Sequence, residues 1–327
     1  MSRHGQSFTI EVHLTAADLA RELRDDVRAG LSETPKSLPA KWHYDELGSQ
    51  LFEQITTLDE YYPTRRERQI LEARTGEIAA ASAADTLIEI GAGFSEKSRI
   101  LLRGLADAGT LRRFVPFDVS EATLREAAER VLREHPGIEV HAIVGDFERQ
   151  LDLLPAGDRR LIAFLGSTIG NLDQHRRAAL LSDVADGMGP GDRFLLGADL
   201  VKDTARLQRA YDDSQGLSAA FGLHLLTRLN SELGADFDVD RFAHEARWVP
   251  EHEWMQMGLR SVTAQKVRIR SLERTISFDE DEMLLTEVSA KFQRARLESE
   301  LGRAGLRLHR WWTDLRGDFS VSLWRRA

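Results

Sequence analysis

Cysteine is absent from all 327 residues, which removes disulfide staples, thiolate nucleophiles and cysteine-based zinc sites from consideration. Basic residues do not predominate: 44 Lys and Arg stand against 53 Asp and Glu, a formal charge of -9, with an isoelectric point near 5.7. That balance argues against a nucleic-acid backbone or an anionic membrane as partner. The short runs Arg65-Arg66 and Arg325-Arg326 read as solvated surface. No apolar run approaches bilayer length, and Met1 to Val12, polar with His and Arg, lacks the apolar core of a secretory signal. The expectation is a cytoplasmic protein, acting as a monomer on a small molecule, with no nucleic acid and no membrane. Proline is scarce, 8 residues, while 42% of the chain is hydrophobic. No repeat or low-complexity linker interrupts it, and the length suits one or two domains.

What is present has a rhythm. Thr15 with Asp18 marks the start of a first helix that Gly30 stops, and Thr64 with Glu67 reads as a capping box opening another. Between them, from Pro35 to Pro63, lies an aromatic-rich stretch with Trp42, Tyr44, Phe52, Tyr61 and Tyr62. From Asp85 the pattern becomes strand, glycine turn, helix, strand. Thr86–Ile90, Arg113–Ser120, Ile138–Phe147, Leu161 onward and Arg193–Leu200 read as strands separated by helices, including one over Asp173–Met188. Such spacing implies right-handed crossovers and a parallel sheet. The rhythm breaks after Asp203: two helices reach about Gly234, then Phe237 to Phe292 alternates as strands. The segment LRLHRWWTDLRGDFSVSLWRR reads as a terminal β-hairpin. The fold class expected is α/β, a Rossmann-like, mainly parallel sheet with a C-terminal antiparallel hairpin as in class I methyltransferases, plus a second α+β lobe.

The sharpest local signal is IEIGAGFSEKS (Ile88–Ser98). Gly91 and Gly93, after a buried strand and before a helix, let the backbone approach a nucleotide closely. A dinucleotide fingerprint would place a third small residue at 96, beside a pyrophosphate. Glu96 stands there, and Glu89 lies just before the loop. Carboxylates repel a pyrophosphate but tolerate a sulfonium cation with an amino-acid tail, so S-adenosylmethionine fits better than NAD. Asp118 ends the second strand, where an acid can bind both ribose hydroxyls. Asp146 and Phe147 end the third, placed to meet the adenine amino group and to pack on the base. Any one of these acids could be an ordinary strand-end cap; three at successive strand ends point to one ligand.

With those residues placed, the sequence resembles the L-histidine Nα-methyltransferases of ergothioneine biosynthesis. The matching strings are PKSLPAKWHYDELGSQLFEQIT, EYYPTRRE, IEIGAGFSEKS, PFDVS, GDF, FLGSTIGNL, GADLVKD, AYDD, LTEVSAKF and WWTD, in family order from about Pro35 to Asp314. The resemblance implies a methyltransferase domain at 62–201 and 290–327 and a substrate-binding domain at 1–61 and 202–289. It places Gly91, Gly93, Lys97, Asp118, Asp146 and Phe147 at S-adenosylmethionine, with S-adenosylhomocysteine as product. It implies that Glu287 and Ser289 hold the imidazole, with Tyr61 and Met257 nearby. Asn171, Tyr211 and Tyr44 would hold the α-carboxylate and amine, Tyr44 and Asn171 being the catalytic candidates. Phe52 and Gly166 would line the same cavity, and Ser218 stands where the family often has threonine. Two departures adjoin the pocket: Gly258 replaces an expected tryptophan, and His43 an aromatic.

These assignments are chemically coherent. Neutral imidazole offers one donor and one acceptor, and a carboxylate with a hydroxyl two residues along the same strand face satisfies both. Read alone, Glu287-x-Ser289 is also what an exposed strand face looks like. No metal is expected: of ten histidines none forms an HExxH or HxH pair, His244-Glu245 being followed by Trp248. A nicotinamide oxidoreductase is disfavoured by Glu96. The nearest rival is an N-methyltransferase of another aromatic amino acid or amine, such as a tryptophan derivative, against which Glu287 argues. A cofactor-binding protein without turnover is the non-enzymatic alternative.

Overall fold

In the computed structural model, which describes residues 7–93 and 96–327, the first element is a strand rather than the expected helix. β1 (Ser7–Val12) pairs in parallel with a later strand from Ser7↔Glu139 to Val12↔Val144. Phe8 and Ile10 alternate along it and pack against Ala92, Leu124, Ala142 and Val144. Six residues make too short a pattern to register by periodicity alone. β1 thus joins the large sheet, although residues 1–61 are expected with the second lobe.

α1 (Ala16–Gly30) follows between its two end signals, then β2 (Lys36–Ser37), α2 (Glu46–Thr57) and α3 (Pro63–Ser82). Asp45 caps α2, accepting from the Gly48 N–H at 2.8 Å. The start of α3 corrects the capping-box reading. Pro63 opens the helix, where its missing N–H costs nothing, and the Glu67 carboxylate is buried against other partners. The alternating pattern then runs as expected through β3 (Thr86–Ile90), α4 (Glu96–Asp107), β4 (Arg113–Asp118), α5 (Glu121–Glu134), β5 (Glu139–Val144), β6 (Arg160–Phe164), α6 (Gln174–Gly187) and β7 (Arg193–Asp199). Ser120 and Asp173 cap α5 and α6. Next come α7 (Thr204–Tyr211), α8 (Leu217–Leu233), β8 (Phe242–Val249), β9 (Trp254–Ser261), β10 (Gln265–Ile269), β11 (Arg274–Phe278) and β12 (Met283–Ala290). The chain closes with α9 (Arg294–Arg303) and the hairpin β13 (Leu306–Thr313) and β14 (Phe319–Arg326).

Contacts group the chain into two units, Met1–Thr15 with Arg65–Leu200 and Phe292–Ala327, and Ala16–Thr64 with Val201–Lys291. The first holds an eight-stranded sheet in the order β1-β5-β4-β3-β6-β7-β14-β13. It is parallel from β1 to β7, and β14 then runs antiparallel to both β7 and β13. Strands covered on both faces read as continuous apolar runs, and β6 is buried at every residue. Strand order reverses at β3, which has β4 on one side and β6 on the other. Ligands of open α/β sheets bind at the carboxyl ends of strands at such a switch point.

The second unit carries a four-stranded sheet, β2-β12-β9-β8, and a separate hairpin, β10-β11. β12 pairs antiparallel with β9, with an irregularity between Leu285 and Glu287 that sets Glu287 opposite Met257. α8 buries Leu225, Leu226, Leu229 and Leu233 in a core shared with Leu23 and Val27 of α1, Trp42 and Leu259.

Candidate active site

At the switch point of the first unit, the loop after β3 turns through Gly91 at φ +70° and Gly93 at φ +48°. Among the described residues a Cβ at either position would meet nothing within 4 Å, so these glycines do not fit under a described neighbour. Left-handed backbone without a side chain is what close approach of a nucleotide needs. Phe94, Ser95 and the Glu96 side chain, which argues against a pyrophosphate, lie outside the described residues. Glu89 is buried and accepts from the Ser98 hydroxyl, tying the strand end to the first turn of α4.

Asp118, at the end of β4, reaches the same loop: its carboxylate accepts from the Gly93 and Ser120 N–H groups, each at 3.0 Å. Burial raises its pKa, opposed by those two bonds and one from the Val119 backbone. A carboxylate has about four lone-pair sites, and these contacts leave acceptor capacity for a hydroxyl. Asp146 is buried beyond β5 and accepts from Glu148 N–H at 2.9 Å, so it does cap its turn. Phe147 beside it stands edge-on to Phe164, ring centres 5.4 Å apart. The residues present therefore fit an adenosyl group at this loop.

Glu67 is the residue of this unit that sequence reasoning assigns wrongly. Fully buried, it accepts from the Gly166 N–H at 2.8 and 2.9 Å and from Lys97 Nζ at 2.6 Å. It thereby fixes the turn after β6, where Gly166 and Ser167 adopt φ +80° and +58°, and it engages the lysine of the glycine motif. A Cβ at Gly197 on β7 would fall inside the Glu67 carboxylate. Only glycine there makes room for the acid.

In the second unit the aromatic-rich stretch becomes a wall. Tyr44 meets Phe52 and Phe221 edge-on, both at 5.5 Å, and Phe52 meets Tyr61 at 5.9 Å. Tyr61 in turn meets Tyr211 at 6.0 Å. Asp45 holds the segment in place: besides capping α2 it accepts from His224 Nε2 of α8 at 2.7 Å. Met257 and Tyr211 belong to an adjoining apolar cluster with Leu207 and Met255. Tyr44, Phe52, Tyr211 and Glu287 each keep part of their surface accessible, whereas Tyr61, Met257 and Ser289 are buried.

Electrostatics sets this wall apart from ordinary core. Burial pushes the Glu287 carboxyl from 4.5 up to about 7, opposed by the charge of Lys291. Burial, helped by Glu287, Tyr61 and Tyr211, holds the Tyr44 hydroxyl well above its usual range, so Tyr44 is a proton donor and not a tyrosinate. The Tyr211 hydroxyl lies 2.9 Å from Ser289 Oγ, and Lys291 Nζ donates to both, at 2.6 and 2.8 Å. Carboxylates of strongly raised pKa among directed donors cluster at functional sites.

The structure gathers Tyr44, Phe52, Tyr61, Tyr211, Met257, Glu287 and Ser289 in the second unit. Gly166 and Asn171 belong to the first, in the turn after β6, with the glycine-loop residues. Ser218 is buried at the start of α8, where its N–H donates to Asp213 at 2.6 Å. Gly258 is explained by crowding: a Cβ would approach Leu284 O to 2.6 Å and Met283 Sδ to 2.7 Å. His43 is stacked on Phe221 with ring centres 4.7 Å apart, and burial lowers its pKa to about 4. It thus serves as a neutral ring in an aromatic's place. Phe221 and Lys291 escaped the sequence reading, although Lys291 lies inside LTEVSAKF, and Glu67, inside EYYPTRRE, is read there only as a helix cap.

Comparison with known proteins bears on the chain as a whole. A family model described as histidine-specific methyltransferase, SAM-dependent, matches residues 23–326. The histidine N-alpha-methyltransferase of Mycolicibacterium smegmatis is 54% identical over 317 residues, covering 97% of this chain and 99% of its own. That of Mycobacterium tuberculosis is 54% identical over 301 residues, covering 92% and 94%. Among solved structures, an S-adenosylmethionine-dependent methyltransferase from Clostridium acetobutylicum aligns with a TM-score of 0.50 at 13% identity, over 85% of this chain and 98% of its own, a likeness of fold alone.

Proposed function

Because the chain belongs to the histidine-specific, SAM-dependent methyltransferase family, we propose that it methylates the α-amino group of L-histidine three times, yielding hercynine, the first step of ergothioneine biosynthesis. The observation that carries this reading is a desolvated carboxylate, Glu287, two residues from a hydroxyl, Ser289, beside an aromatic wall. That set complements an imidazole edge and face together. A phenyl ring would leave the carboxylate buried without a partner, and an indole, which has an N–H but no ring acceptor, would leave the hydroxyl unanswered, a cost on the order of several kcal/mol.

Bound at the glycine loop, S-adenosylmethionine supplies an electrophilic methyl on a sulfonium, a leaving group that needs no metal. Gly91 and Gly93 admit it, Asp118 takes a ribose hydroxyl, Asp146 and Phe147 take the adenine, and Lys97 steadies the loop through Glu67. The first unit is thus the cofactor domain and the second, with Glu287 and Ser289, the substrate domain. Glu287 and Ser289 fix the ring; Tyr44 and Tyr211 orient the α-carboxylate and amine. Phe52, Tyr61, Met257 and Phe221 exclude water, so that positioning supplies the catalysis. The amine must shed a proton before it attacks, which favours mildly alkaline activity.

A monomer in the cytoplasm is the proposed working form. Its support is that the exposed large apolar side chains of the described residues, Val12, Leu47, Val262 and Leu315, are scattered over separate segments. Mass spectrometry of histidine incubated with methyl-labelled cofactor tests the function: successive additions of one, two and three labelled methyls are expected, and unmodified histidine would refute it.

A further inference from the structure

Lys291 follows Ser289 by two residues. It is fully buried just beyond β12, where an ammonium is costly unless hydrogen-bonded. Nζ donates to Tyr211 Oη and Ser289 Oγ, at 2.6 and 2.8 Å, and lies 4.5 Å from the centre of the Tyr211 ring. Those two oxygens are 2.9 Å from each other. The Lys291 backbone is anchored too, its N–H donating to Glu253 O at 2.7 Å, so the ammonium approaches from a fixed strand end.

An ammonium carries donors and no lone pair. Each hydroxyl it touches gives up a lone pair to it and must turn its own proton elsewhere. Across the 2.9 Å between them Tyr211 can pass its proton to Ser289, which leaves the Ser289 proton for a ligand, while Glu287, two residues earlier, accepts. A neutral imidazole presents one N–H and one bare ring nitrogen, the complement of that arrangement.

We propose that Lys291 is a specificity-determining positioning residue: by holding Ser289, directly and through Tyr211, as a proton donor beside the Glu287 acceptor, it makes the site read an imidazole instead of any aromatic ring. The inference rests on the histidine reading of the site. Its charge also favours the ionised form of Glu287, which serves the same end.

Lys291→Met keeps the stem and removes the ammonium. Calorimetry should find histidine bound at least about 10-fold more weakly, with a matching rise in KM, while cofactor affinity stays within about 2-fold. In a Ser289→Ala, Tyr211→Phe background no hydroxyl remains to be oriented, and the same substitution should cost less than about 2-fold further. Lys291→Gln, which brings an acceptor where only donors stood, should weaken histidine in the same way and serves if the methionine variant does not fold. Histidine affinity unchanged by both variants, equal loss of both ligands, or an undiminished penalty in the double background overturns the proposal. Wild-type protein that binds cofactor but no histidine sinks the histidine reading itself, and this inference with it.

Discussion

Replacing Glu287 by glutamine removes a charge that the fold holds at a cost. Burial lifts its pKa from 4.5 to about 7, against the pull of Lys291. Each pH unit between the folded and unfolded values is worth about 1.4 kcal/mol, so the ionised side chain costs the folded state about 3 kcal/mol. Glu287 retains some contact with water, and screening trims the working figure to about 2 kcal/mol. A raised carboxyl pKa means that the folded protein holds this proton more tightly than the unfolded chain does. The stabilising contribution is full below pH 4.5 and is lost as the pH rises towards 7. Urea unfolding at about pH 5 and about pH 8 reads it directly: the variant should nearly match wild type at the lower pH and exceed it by about 2 kcal/mol at the higher. The gain should appear as a higher midpoint with an unchanged slope, and histidine binding should weaken in the same variant. An identical stability difference at both pH values would refute the desolvated-carboxylate argument.

Gly91→Val places a β-branched side chain at φ +70° and into the space reserved for the cofactor, so calorimetry should find cofactor affinity lowered by at least about 10-fold. Undiminished cofactor binding would count against the loop assignment. Asp118→Asn keeps the shape but exchanges an acceptor for a donor, and cofactor binding should weaken by about 10-fold with little change in Tm; equal affinity would remove Asp118 from the ribose. Gly197→Ala drives a methyl into the Glu67 carboxylate and should cost about 1–3 kcal/mol of stability. Adding Glu67→Ala to that variant should recover part of the Tm, and no recovery would refute the steric coupling.

Much of the cofactor side was legible because its signals are local. A buried parallel strand is an apolar run that stops at a turn residue, and the bounds of β3 and β7 fall within a residue of those expected. Gly91, Gly93 and Asp118 sit at such stops, and the Gly93–Asp118 hydrogen bond joins them. What stayed hidden depends on partners far along the chain. β1 is defined by its pairing with β5, and Glu67 by Gly166, 99 residues away; its spacing from Thr64 imitates a capping box only because three residues is also a helical interval. Lys291 lies inside LTEVSAKF, yet nothing in that string tells that its ammonium folds back onto Ser289. The Gly258 departure is steric, a matter of Met283 and the Leu284 carbonyl.

The ratio of kcat/KM for L-histidine over L-tryptophan, measured side by side with the same cofactor, tests the central claim most directly. A site built around Glu287 and the oriented hydroxyls should favour histidine by at least about 1,000-fold, since a ring that cannot pair leaves buried polar groups unsatisfied. Comparable rates for the two amino acids would mean that the aromatic wall alone selects the substrate and that Glu287, Ser289 and Lys291 have no part in the choice.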